Sequence, residues 1–113
     1  MPNRSIPTYP VPTGGPADPV LADLMPEFIT LWTKDLTVTW PEIRERGDIE
    51  EFHRFGHTIK GSFLQFGFRD LSPIGRDVMS DAENGDWEGA DARIQGLLNV
   101  LNAMKEQLPG ENS

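Results

Sequence analysis

Residues 48–67 read DIEEFHRFGHTIKGSFLQFG, and the periodicity of this stretch decides the fold. Ile49, Phe52, Gly56, Ile59, Phe63 and Phe66 step three or four residues at a time, the spacing of one buried face on a helix of about five turns. Asp48 stands where an N-cap would, with Glu51 in the spacing of a capping box. Gly67 suits a left-handed C-terminal cap. At about 100° per residue, His53, His57, Lys60 and Leu64 fall into one line, offset from the Gly56 edge of the seam by about the same angle. That line faces outward or rims a groove.

The flanking sequence is helical too. Asp18-Pro19 pairs an N-cap with proline at the first helical position and opens a short helix, which Pro26 ends or bends. Phe28, Leu31, Trp32, Leu36 and Ile43 recur at helical spacing as far as Gly47. Pro41 lies inside this run and removes a backbone donor. Either one long helix kinks there, which is the expectation, or it restarts with Thr39 as N-cap and Glu42 completing a capping box. A further helix is expected from about Asp70 to Asn84, with Leu71, Ile74 and Val78 inward and Gly85 as terminator. Asp86 caps the last helix, whose apolar stripe is Trp87, Ala90, Ile94, Leu97, Leu101, Met104 and Leu108. Links this short force neighbouring helices to run antiparallel. The expected fold is therefore all-α, an up-and-down four-helix bundle with a short extra N-terminal helix. Its bounds are 18–108, preceded by a Pro/Gly-rich tail over 1–17 that is disordered or draped on the surface, and followed by a tail over 109–113.

Composition narrows the function. The 113 residues fit one domain, and 18 acidic against 10 basic residues give a formal net charge of −8. Phosphate-backbone binding needs clustered Lys and Arg, so no nucleic-acid surface is expected. The absence of cysteine excludes disulfides and thiolate metal sites. No apolar run approaches the roughly 20 residues of a membrane helix, and no apolar leader is visible. A cytoplasmic, monomeric protein is expected, more readily free-standing than a fragment of a larger protein, given its initial methionine and irregular ends.

The outward line carries chemistry. A neutral imidazole is a nucleophile near neutral pH and can hold a phosphoryl group as a phosphoramidate. Lys60, one turn beyond His57, can offset part of the incoming negative charge. Gly61 lies at i+4 from His57, where a side chain would crowd the imidazole and obstruct a partner. A mid-helix glycine costs about 1 kcal/mol relative to alanine, so it invites such a reason. Ser62 is small and keeps the same approach open. Nothing in the chain resembles a nucleotide loop or a carboxylate cluster for Mg²⁺, so a partner would supply the metal, the phosphoryl donor and the oxyanion stabilisation.

His57-Thr58-Ile59-Lys60-Gly61-Ser62, followed by Gly67, resembles the H-x-x-K-G-S signature of histidine-containing phosphotransfer (HPt) domains of two-component phosphorelays. The resemblance runs from about Leu21 to Leu108 and takes in Gly47-Asp48 and Gly85-Asp86. It implies a four-helix bundle, phosphorylation of His57 on Nε2, and exchange with the aspartate of response-regulator receiver domains. It further implies a phosphate-stabilising role for Lys60, steric clearance at Gly61, no cofactor bound by this chain and Mg²⁺ in the partner receiver. A hybrid histidine kinase is a further partner of this kind. Family members often carry a polar residue on the next helix, near the histidine. Alignment on the Gly85-Asp86 turn puts Met79 there, so that Asp77 or Ser80 orients the imidazole or the ring is held loosely.

Plainer readings stand beside these. Glu50, His53 and His57 have the spacing of a helical metal site, but no further ligand pair accompanies them; solvated edge residues are expected instead, with His53 modulating the site by its charge. Leu64 is either an apolar contact for the receiver or covered by a neighbouring segment. Trp32, Trp40 and Trp87 read as core or half-buried residues, and Glu42, Glu45, Asp48, Glu50 and Glu51 as a solvated face. The functional alternative is an HPt-like binding module that docks a receiver or helical partner without phosphotransfer.

Overall fold

The structure, a computed structural model, describes residues 5–13 and 16–108. Residues 1–4, Gly14, Gly15 and the C-terminal tail over 109–113 lie outside the described residues. The described chain is all-helical, with no strand. Its elements are α1 (Pro19–Asp23), α2 (Met25–Lys34), a π turn (Asp35–Thr39), α3 (Trp40–Arg46), α4 (Ile49–Gln65), α5 (Ser72–Glu83) and α6 (Trp87–Glu106).

The helix ends follow the sequence signals, with two differences. Asp18 Oδ1 accepts from the Val20 N–H at 2.9 Å, and Asp86 Oδ1 from the Gly89 N–H at 2.9 Å. Gly47, Gly67 and Gly85 take positive φ of 65°, 85° and 64° and turn the chain out of α3, α4 and α5. At α4 only half of the capping box forms. Asp48 Oδ1 accepts from the Glu51 N–H at 3.2 Å, but the Glu51 carboxylate pairs forward with Arg54 instead of reaching back. At Pro41 the chain stays helical. Thr39 has helical φ and ψ of −65° and −45° and no side-chain cap bond, so the restart does not occur. Instead the preceding turn widens into π geometry, and the Trp40 N–H bonds Asp35 O. A widened turn moves away the carbonyl that the proline ring would otherwise strike.

One apolar core joins these elements. Phe52, Ile59 and Phe63 of α4 are fully buried, each contributing about 1.5–3 kcal/mol of transfer free energy. Phe63 meets Phe28 of α2 edge-on at 5.0 Å between ring centroids, and Phe52 meets Trp40 of α3 at 5.1 Å. Trp40 donates its indole N–H to Asp91 of α6 at 2.7 Å, so the tryptophan is both buried and satisfied. Ile49 is 42% exposed, against expectation, and Phe55 is buried in its place. The seam is wider than a single line of residues, and its first member lies at the helix end where neighbours no longer cover it.

The α4–α5 contact fixes the site. A Cβ on Gly56 would lie 2.8 Å from both the Gly75 carbonyl oxygen and the Met79 nitrogen. One on Gly75 would lie 2.5 Å from Gly56 O and 2.7 Å from Lys60 Cα. Both distances are shorter than van der Waals packing allows, so the two backbones approach as closely as they do because both residues are glycine. Ser72 at the start of α5 then donates its hydroxyl to Lys60 O at 2.9 Å.

Candidate functional site

Helix α4 presents His57 on its exposed face, at the rim of a shallow groove between α4 and the end of α5. Ile49, Glu50, His53, Arg54 and His57 line the groove from α4, and Ala82 and Glu83 from α5. No hydrogen bond or ion pair reaches the His57 imidazole among the described residues, so its ring nitrogens are open to an incoming group. The backbone beneath it is held by the Gly56–Gly75 approach and the Ser72–Lys60 bond. An exposed side chain thus stands on a closely packed backbone.

The expected stripe is assembled in space. Lys60 is half-buried, its backbone packed on Gly75, and Ser62 is half-buried behind it. Gly61 is exposed, and a Cβ built on it meets nothing within 4 Å. Its lack of a side chain is therefore not required by any contact within the described fold, unlike that of Gly56. Leu64 is 52% exposed, so no neighbouring segment among the described residues covers it. His53 Nε2 lies 3.4 Å from Glu83 Oε2 across the groove.

The groups expected to orient the imidazole do not do so. Asp77 faces α6, where its carboxylate lies 3.6 Å from Arg93. Ser80 makes no side-chain bond to His57, and Met79 packs its Cγ over Gly56. Glu50, His53 and His57 line the same groove, yet no group of three His, Asp or Glu side chains among the described residues is placed to hold a metal ion.

Two charged groove residues, Arg54 and Glu83, are not among those the sequence pattern singles out. Arg54 precedes His57 by the same three residues that separate His57 from Lys60, so the spacing that selected the lysine also selects it. Glu83 lies on the next helix, and no local pattern in α4 points to it. Away from the groove, α5 and α6 share a partly buried charge network of Asp77, Asp81 and Arg93. Asp81, 5% exposed, accepts from Arg93 Nε at 2.8 Å, and this bond holds the guanidinium above its ordinary pKa. The Tyr9 hydroxyl is buried beside Arg93; burial pushes its phenol up, partly opposed by the guanidinium.

Among the described residues no helix is long and apolar enough to cross a membrane. Comparison with protein-family models, with curated proteins and with solved structures finds no match to this chain.

Proposed function

We propose that the chain is a phosphocarrier of the HPt type. It accepts a phosphoryl group on His57 from a receiver-domain aspartate and passes it to another receiver. One observation carries the reading: an exposed imidazole, unbonded among the described residues, stands on a helix with a cation and a glycine under open space both one turn beyond it. A phosphoryl group needs that space, and so does the active site that delivers it. In the transfer, an imidazole nitrogen attacks phosphorus, the aspartyl carboxylate leaves, and Lys60 offsets charge on the phosphoryl oxygens. The partner holds Mg²⁺ and supplies most of the catalysis.

The packing pattern supports an up-and-down four-helix arrangement. The composite helix α2–π–α3 packs on α4 through α3, α4 on α5, α5 on α6, and α6 back on α2. That closed ring of neighbours, joined by short links, is the pattern of an antiparallel bundle.

The test is incubation of the chain with a phosphorylated receiver. The expected product is an acid-labile, base-stable phosphoryl group on the chain that His57→Gln abolishes. No label, or a label that survives the substitution, overturns the proposal. The unanchored ring and the apolar Met79 favour one second reading, a module that docks a receiver without accepting phosphate. Receiver binding unchanged by His57→Ala, without phosphorylation by any receiver, would establish it.

A further inference from the structure

Helix geometry puts a second cation beside His57. Arg54 and Lys60 lie three residues to either side of it, about 60° off the imidazole on opposite flanks and about 5–6 Å away at Cβ. Arg54 lines the same groove as His57. Its guanidinium is already occupied: Nη1 lies 2.5 Å from Oε2 of Glu51, which belongs to the turn before it. The arginine side chain is 64% exposed and the glutamate 37%, so water and salt weaken this pair. Lys60 differs, because its backbone is clamped by Gly75 and Ser72. Of these two cations, Arg54 is the one whose side chain is held by an exposed and easily released pair.

We propose that Arg54 is a switching phosphoryl ligand, paired with Glu51 while His57 is free and drawn onto the phosphoryl oxygens once His57 is modified. This rests on the phosphocarrier reading. A phosphoryl group carries up to two negative charges on three oxygens and accepts a guanidinium bidentately, whereas Glu51 offers one charge. The exchange costs little, since the bond given up is an exposed one. Glu51, for its part, keeps the cation close to the groove without neutralising a site that has no phosphate in it.

The exchange has a kinetic signature. Phosphohistidine hydrolyses when its imidazole takes up a proton. Water then attacks phosphorus, the N–P bond breaks, and phosphate leaves with neutral imidazole restored. A guanidinium on the phosphoryl group disfavours that protonation and slows the loss. Removing Arg54 therefore speeds hydrolysis, and freeing it from Glu51 slows it.

The test phosphorylates the full chain with phosphoramidate, which transfers its phosphoryl group to imidazole and releases ammonia. Phosphorus NMR then follows the decay in wild type, Arg54→Gln and Glu51→Gln, with circular dichroism to check the fold. Arg54→Gln is expected to shorten the half-life by about two- to tenfold, the worth of one exposed charge-assisted contact, and Glu51→Gln to lengthen it. Opposite signs exclude a merely structural effect, which would shift both variants the same way. Equal half-lives in all three proteins, or shifts of the same sign, would overturn the switch alone. Failure of the wild-type chain to label on His57 would overturn the phosphocarrier reading and the switch with it.

Discussion

Gly56 and Gly61 stand one and a half turns apart on α4, and their replacement by alanine should have opposite effects. Alanine is the better helix former by about 1 kcal/mol. At Gly61 the new methyl meets nothing within 4 Å, so that gain is realised. A stabilisation of about 0.5–1 kcal/mol corresponds to a rise of about 2–5 °C in Tm for a domain of this size. At Gly56 the same methyl would sit 2.8 Å from Gly75 O and Met79 N, both backbone atoms that cannot swing aside. Overpacking of this kind costs about 1–3 kcal/mol, which cancels or exceeds the helix gain and lowers Tm. Thermal melts followed by circular dichroism read both changes. The functional half of the experiment uses Gly61→Gln, which keeps a good helix former and adds a long side chain. It should melt no lower than wild type yet slow transfer from a phosphorylated receiver by about tenfold or more, since small displacements at a reacting centre are expensive. A Gly61→Ala protein destabilised as much as Gly56→Ala would refute the open space above Gly61. Wild-type transfer by Gly61→Gln would refute the argument that the space serves a partner.

Two further outcomes concern the far side of the molecule. Tyr9 is the chain's one tyrosine, so the ultraviolet absorbance of phenolate reports it alone; its midpoint should lie above the ordinary 10.0, because burial disfavours the anion. The raised folded-state pKa means that this contribution to stability is complete below pH 10 and is lost as pH rises through the higher value, and a midpoint at or below 10.0 in the folded chain would contradict it. Asp81→Ala removes the buried partner of Arg93 and should cost about 1–3 kcal/mol in urea unfolding, whereas Asp77→Ala, at a longer and more exposed contact, should cost clearly less.

The cues that were legible were local. The period of Phe52, Ile59 and Phe63 shows in the sequence because a helix repeats its buried face every three or four residues, whatever lies opposite. The caps at Asp18, Asp48 and Asp86 and the glycines at 47, 67 and 85 act within one turn, and the structure uses all six. The outward line from His53 to Leu64 follows from the same geometry. Arg54 was equally legible by spacing, although its pairing with Glu51 was not, because a capping box competes for the same carboxylate.

What lay beyond reach depended on residues from different elements meeting. Asp77 was an open choice for orienting His57 until α6 placed Arg93 beside it. The pairing of His53 with Glu83, and the burial of Asp81, arise from contacts across turns that carry no periodic signal. At Pro41 the sequence marks a missing donor but leaves open whether the helix breaks or widens; the packing of Leu36 and Trp40 into the core holds the chain helical and leaves the π turn to absorb the misfit. By itself the sequence determined that α4 exists, which residues form most of its buried face, and that His57 lies off that face, since these depend only on the pitch of one helix. Tertiary structure alone decided that Gly56 is a packing glycine and Gly61 is not. A glycine shows its reason only through the atoms a side chain would strike, and those belong to α5.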